Sequence, residues 1–312
     1  MTSNPGTPGI RGIWPALMTP LHEDLSIDHA RFAAHARQLI ADGCGGVTPF
    51  GTTGEGPSFS LDERRAAVDA LVAGGVPAAR ILVSTSCAAL PEAIALTRHA
   101  QDLGAWGVLL MPPFFFKGVP DAGIVAAYRA VLDATAERAL RVVLYHIPQV
   151  AGVGLSQAVI AELLQRYPGR IVAIKDSAGD RAHSVALAQA FMAPGQPRIG
   201  VHVGHEPDLP TLGRLGSGGA VSGLANFMPR AVHRLVAEPD SAAAARDLGR
   251  IERLLGLLGG YALIPALKAI QAVQTGDMAW RRVRPPLVAL DDARTQALAA
   301  AIAELGLDRA QD

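Results

Sequence analysis

The chain runs to 312 residues, half of them hydrophobic and 18% charged, with 28 Lys and Arg matched by 28 Asp and Glu. Apolar material in that proportion sustains a sizeable buried core and excludes a chain that is disordered throughout. Balanced charge supplies no long-range attraction for nucleic acid or an anionic membrane, which leaves a small molecule as the expected partner.

In chain order, residues 1–9 read as a flexible tail with neither the basic start nor the apolar run of a signal peptide. No later apolar stretch approaches membrane-spanning length, so a cytoplasmic protein is expected. Short β-rich runs follow at 12–18, 45–49, 81–84, 107–111, 141–145, 171–175, 198–203 and 220–222. Helix-like segments at 28–39, 61–72, 91–103, 121–136, 156–166 and 182–191 lie between most of them, several opening on an Asp or Ser suited to capping. Eight strands alternating with helices predict a closed parallel (β/α)8 (TIM) barrel, an α/β fold. An open doubly wound sheet would place a Gly-rich phosphate turn after the first strand, where this chain has Thr19-Pro20.

Glycines 43, 104 and 216 follow predicted helices, where a left-handed residue ends a helix. Pro15 interrupts the first strand by removing a ladder donor. Cys44 and Cys87 lie in separate segments without metal-type spacing and read as small core residues of a reduced protein. Helices predicted at 229–236, 241–258, 264–275 and 291–305 have no strand among them. The expected organisation is therefore a tail (1–9), a catalytic barrel (10–236) and a C-terminal helical extension (237–312).

Barrels of this kind collect their chemistry at strand C-termini and the loops after them. Three candidates fall there. Gly51-Thr52-Thr53-Gly54-Glu55-Gly56, after the second strand, can present backbone amides and hydroxyls to a carboxylate, although the same run also serves as an ordinary turn. Tyr145 ends the fifth strand, where a phenol either relays protons or packs as a ring with a bonded hydroxyl. Lys175 ends the sixth, directly after four apolar residues. Desolvation there favours the neutral, nucleophilic amine, while the plainer reading is a salt-bridged lysine reaching the surface. An amine, a proton relay and a carboxylate cradle on one rim are what a Schiff-base enzyme needs.

These segments resemble a known family. Gly51-Thr52-Thr53-Gly54-Glu55, Tyr145-His146-Ile147-Pro148 and residues 174–180 are similar to motifs of the dihydrodipicolinate synthase/N-acetylneuraminate lyase family. The likeness runs from Gly12, Ala16, Thr19 and Pro20 through Gly204 to Gly223-Leu224-Ala225-Asn226, nearly the whole barrel. It implies a class I aldolase, a lyase in which Lys175 forms the imine with pyruvate or another 2-keto acid and Tyr145 shuttles the proton. On the same resemblance Thr52 and Thr53 bind the keto-acid carboxylate, and Gly204 and Val221 flank the pocket. The imine is the electron sink, so no cofactor and no metal are implied. Homo-oligomers, tetramers or dimers, are the family's implied assembly.

Two departures bear on the substrate. Where the dihydrodipicolinate synthases carry an arginine for the aldehyde's carboxylate, this chain has Val150, and where the family has a second tyrosine it has Phe115. The resemblance therefore points away from lysine-pathway synthesis. Residues 175–180 look more like members acting on 2-keto-3-deoxy sugar acids or 4-hydroxy-2-oxoglutarate, and an aliphatic Val150 favours a neutral, hydroxylated distal part. Alternatives are a dihydrodipicolinate synthase, a hydro-lyase using the same imine and, more distantly, a non-catalytic sugar-acid sensor.

Other signals carry less. His202 and His205 are spaced so that their rings point to opposite faces of a strand, against a shared metal. Residues 216–219 enter the last strand rather than leave it, which makes a tight turn of them rather than a phosphate cradle. Phe114, Phe115 and Phe116, after a double proline, suit a pocket or subunit contact.

Overall fold

The computed structural model of the protein describes residues 9–192 and 199–306. The predicted tail, Gly9 apart, and the start of the strand predicted at 198 lie outside the described residues.

Seven parallel strands are present among the described residues: β1 (Gly12–Pro15), β2 (Leu82–Ser84), β3 (Gly107–Leu110), β4 (Val142–His146), β5 (Ile171–Asp176), β6 (Gly200–Val203) and β7 (Gly219–Ser222). Strands β2 to β6 pair in sequence order and β1 pairs with β7. The second predicted strand is not one. Residues 45–49 contribute only isolated parallel bridges, Thr48 to Ala16 and Val47 to Ile81, which carry the wall from β1 to β2. The Trp14 indole lies so close over Gly45 and Gly46 that a Cβ on either would collide with it and with carbonyls of Arg11 or Arg80. Glycine admits the ring and gives up strand regularity.

A second interruption falls between β6 and β7, where side chains replace the ladder. Ser217 Oγ donates to Val201 O at 2.7 Å, and His202 Nδ1 donates to Gly219 O at 2.9 Å. His202 Nε2 accepts from Ile10 N–H at 3.0 Å, tying the entering chain to the barrel floor. Pro15 ends β1 and still accepts from Thr48 N–H at 2.8 Å, so its missing donor costs no closure.

The crossovers are α1 (His29–Ala41), α2 (Leu61–Ala73), α3 (Leu90–Asp102), α4 (Asp121–Ala134), α5 (Pro148–Ala151), α6 (Gln157–Arg166), α7 (Arg181–Phe191) and α8 (Leu209–Arg214); α9 (Pro229–Ala237), α10 (Ala242–Leu258), α11 (Leu263–Thr275) and α12 (Asp292–Glu304) follow the last strand. The short α5 and α8 are additions to the predicted set. Asp28, Ser156, Ser241 and Asp291 cap their helices through side-chain oxygens, as their positions predict, whereas Asp121 is the first residue of α4, after an N-cap at Pro120. Gly43, Gly104 and Gly216 take positive φ of 98°, 69° and 96° at the predicted helix ends.

Period two along the strands sorts the core into two layers. Trp14, Leu82, Leu109, Val143, Ala173 and Val221 fill the barrel interior. Their neighbours Ile13, Val108, Leu144 and Ile174 join the larger layer beneath the helices. Strands apolar on both faces are what a helix-covered parallel sheet requires. Both cysteines are buried, and neither forms a disulfide among the described residues. No described helix is long and apolar enough to cross a membrane.

Candidate active site

Alternation along β4 sends Val143 and Tyr145 inward, and along β5 it sends Ala173 and then Lys175 inward. The two strands are in register with Tyr145 opposite Lys175. Lys175 Nζ lies 4.3 Å from the centre of the Tyr145 ring, and both residues are almost wholly buried, at 4% and 2% exposure. Lys175 makes no ion pair or hydrogen bond with any described residue. The salt-bridged alternative therefore does not hold.

The Tyr145 hydroxyl shares a hydrogen bond of 3.2 Å with Thr52 Oγ1, so the relay candidate and the cradle candidate meet directly. Thr53 packs toward the end of β7, since a Cβ on Gly223 would lie 3.2 Å from Thr53 Oγ1. Gly204, just beyond β6, makes room for the lysine stem, because a Cβ there would sit 3.0 Å from Lys175 Cε and collide with Ser177 Oγ. Val221 is buried in the same interior cluster as Tyr145. Lys175, Tyr145 and Thr52 thus form one chain of contacts, with Gly204 against the lysine stem, Thr53 turned toward Gly223, and Val221 a member of the interior cluster that contains Tyr145. Val150 stands apart on α5, 60% exposed.

The turn after Phe50 is tightly specified. Phe50 and Glu55 both adopt left-handed φ, 61° and 56°, which non-glycine residues rarely do. Gly54 and Gly56 lie so close to backbone that a Cβ would meet Leu17 O or Phe50 O. Thr19 Oγ1 donates to Gly54 O at 2.7 Å. Behind the turn, Glu55 is ion-paired with Lys268 of α11, and neither side chain is exposed. Burial pushes the Lys268 ammonium down from the usual lysine range, with the Glu55 carboxylate opposing.

Lys268 was not among the residues singled out from sequence, although a lysine framed by Pro265-Ala266-Leu267 and Ala269-Ile270 is a legible sign of a buried cation. Lys117 also emerges only in three dimensions. Its Nζ donates to Ala151 O at 2.6 Å and to Phe114 O, which puts a cation beside α5.

Three potential metal ligands, His146, Asp176 and His183, gather behind the wall with their ligand atoms within 4.8 Å of one another. Their hydrogen bonds already occupy them. Asp176 Oδ2 accepts from His183 Nδ1 at 2.9 Å and Ser184 Oγ at 2.7 Å. His146 Nδ1 accepts from Leu155 N–H at 2.9 Å, so the neutral ring carries its proton on Nε2 and has no lone pair to offer there. Burial lowers the His146 pKa, against the pull of Asp176, which favours that neutral ring. His202 and His205 have separate partners, the latter bonding Asp208 at 2.9 Å.

An interior lysine facing a tyrosine at the C-terminal rim of a (β/α)8 barrel defines a lyase of the class I aldolase type. Residues 9–305 match the model of the dihydrodipicolinate synthetase family, and the chain belongs to that family. Among its relatives is an uncharacterized DapA-like lyase of Chloroflexus aurantiacus, 35% identical over 93% of this chain and 95% of that protein. The structure is similar to dihydrodipicolinate synthase from Agrobacterium tumefaciens (TM-score 0.88, 33% identity, 95% of this chain and 99% of that one). It is also similar to YagE, an E. coli K12 prophage protein of the dihydrodipicolinic acid synthase family solved with pyruvate (TM-score 0.86, 26% identity, 96% and 99%).

Proposed function

We propose that the protein is a Schiff-base aldolase that joins or releases pyruvate and an uncharged hydroxyaldehyde, with substrates of the 2-keto-3-deoxy sugar acid type. The observation that carries the reading is the Lys175–Tyr145–Thr52 contact chain, a buried amine without an ionic partner beside a phenol bonded to the carboxylate cradle. The Lys175 amine attacks the keto carbon, the carbonyl oxygen gains protons through Tyr145, and water leaves as the iminium forms. Thr52 and Thr53 hold the keto-acid carboxylate. As the carbon–carbon bond breaks, the substrate hydroxyl gives up its proton through Tyr145 and leaves as the aldehyde while the iminium accepts the electron pair. The resulting enamine is reprotonated through Tyr145 to the pyruvate iminium, which water hydrolyses to pyruvate and the free Lys175 amine. The relative solved with pyruvate supports that keto acid.

Val150 supports an uncharged distal group, because an aliphatic side chain cannot make the paired bonds that hold a carboxylate. Lys117 favours a second reading, in which its ammonium replaces the arginine and an aldehyde carrying a carboxylate is accepted. The exposed, edge-on Phe115–Phe116 pair, with ring centres 5.2 Å apart, supports a subunit contact in a homo-oligomer. As a proposed organisation, the barrel spans 10–236 and residues from 237 onward form an extension packed on it.

Borohydride reduction with pyruvate, followed by peptide mapping, tests the mechanism: one reduced adduct on Lys175 is expected, and none at saturating pyruvate sinks it. A cleavage screen over 2-keto-3-deoxy acids then separates aldolase from hydro-lyase, since pyruvate release marks the first and dehydration without pyruvate the second. Comparing glyceraldehyde with aspartate semialdehyde, in the parent protein and in Lys117→Ala, decides between the two distal readings. Efficient use of the semialdehyde that disappears in Lys117→Ala establishes the second.

A further inference from the structure

Glu55 and Lys268 take no part in the proposed chemistry, yet both are buried next to it. Desolvating two charges is costly, and a well-packed apolar pair in their place is often as stable or more so. A stability role alone is therefore a weak explanation for the pair. Its position supplies a better one. Glu55 sits in a strained left-handed conformation of the kind that persists only where the surroundings over-determine it.

Both oxygens of the Glu55 carboxylate are engaged from the far end of the chain, Oε1 by Lys268 Nζ and Oε2 by Arg284 N–H at 3.1 Å. Lys268 is fixed in turn by Arg282 O at 2.6 Å. The Glu55 backbone closes directly onto the cradle: its N–H donates to Thr52 O at 3.1 Å, and Gly56 N–H donates to Gly51 O at 3.1 Å. Rotating Glu55 out of its left-handed state would swing the threonine turn with it. The residue before Lys268 supports the other half of the cradle, since Leu267 and Thr53 both abut Gly223.

We infer that Lys268 is a positioning residue for the keto-acid carboxylate: by anchoring Glu55 from α11 it holds the Thr52–Thr53 turn in its receiving shape. This rests on the assignment of the two threonines to that carboxylate. The C-terminal segment thereby tunes affinity for the keto acid without touching it.

The test uses the full chain and pyruvate as the probe. Lys268→Met alone leaves a buried carboxylate unpaired and can fail to fold, so the informative protein is Glu55→Gln/Lys268→Met, which removes both charges. Three measurements are made on it and on the parent: thermal midpoint, hydrogen exchange of the peptide spanning residues 51–56, and the pyruvate concentration that half-saturates borohydride labelling. With folding retained, exchange in that peptide rises at least about tenfold, half-saturation rises about tenfold, and the labelling extent at saturation stays near the parent's. A folded double variant with parental exchange, or with faster exchange but parental half-saturation, overturns the inference. A double variant that does not fold also overturns it, because the pair is then needed for the fold itself. Exchange is read without any chemistry at Lys175. Faster exchange together with no labelling in any protein counts against the Schiff-base assignment and upholds the anchoring of the turn.

Discussion

Lys175 and Lys268 are both buried lysines of the same molecule, handled in opposite ways. Lys268 is fully enclosed and paired with Glu55, its ammonium further fixed by a backbone carbonyl. Lys175, at 4% exposure, has the face of a tyrosine ring nearby and is ion-paired with no carboxylate among the described residues. A buried cation with a matched anion is a structural commitment, because removing either partner strands the other. A buried amine without a matched anion carries no such commitment and is left available for chemistry. Burial alone does not separate a structural lysine from a chemical one; the partner does.

The same substitution at both sites sharpens that contrast. Lys175→Met is expected to abolish turnover, to below about 10⁻⁴ of the parent rate, while leaving the thermal midpoint unchanged or raised. A variant that unfolds instead would assign Lys175 the structural part. Tyr145→Phe keeps the ring and removes the hydroxyl bonded to Thr52, so turnover should fall by roughly two to four orders of magnitude with pyruvate labelling of Lys175 retained. A near-parental rate would make Tyr145 a packing residue.

At the structural lysine the readout is stability. Lys268→Met should cost about 3–5 kcal/mol in denaturant unfolding, as expected for a stranded buried charge, and adding Glu55→Gln should recover most of it. Equal losses in the single and double variants would show that packing, not charge, is what Lys268 supplies.

His202 shows a third way of burying a titratable group, as a neutral ring, and carries the smallest of these effects. Burial holds its pKa at about 4, with the bond to Gly219 O opposing. Above about pH 6.5 the ring is neutral in folded and unfolded chains alike and its contribution is complete. As pH falls from there toward 4, the unfolded chain takes up a proton that the native ring refuses. Stability should drop by up to about 3 kcal/mol and level off below pH 4. Unfolding curves at pH 7, 5.5 and 4.5, with His202→Asn for comparison, check this; an equal slope in both proteins removes His202 as its source.

Local pattern was enough to place most strands, the caps at Asp28, Ser156, Ser241 and Asp291, and the left-handed glycines, since each depends on a residue and its immediate neighbours. It was enough for Lys175 and Tyr145 too, because a strand-end residue after an apolar run has a known height and, by alternation, a known face. Residues 45–49 read as a strand for the same local reason and were not one, because the ring of Trp14, some thirty positions earlier, occupies the space over Gly45 and Gly46. Tertiary structure alone decided who meets whom. Glu55 and Lys268 are 213 positions apart, and His202 and Ile10 are 192 apart. Lys117 reaches Ala151 across 34. No periodicity spans such distances. Composition and alternation determine that a chain closes into a barrel with its polar strand-end residues on one rim, whereas the partner of each buried charge depends on how that closed barrel brings distant loops into contact. Here that partner is what separates the lysine that holds the site from the one proposed to react.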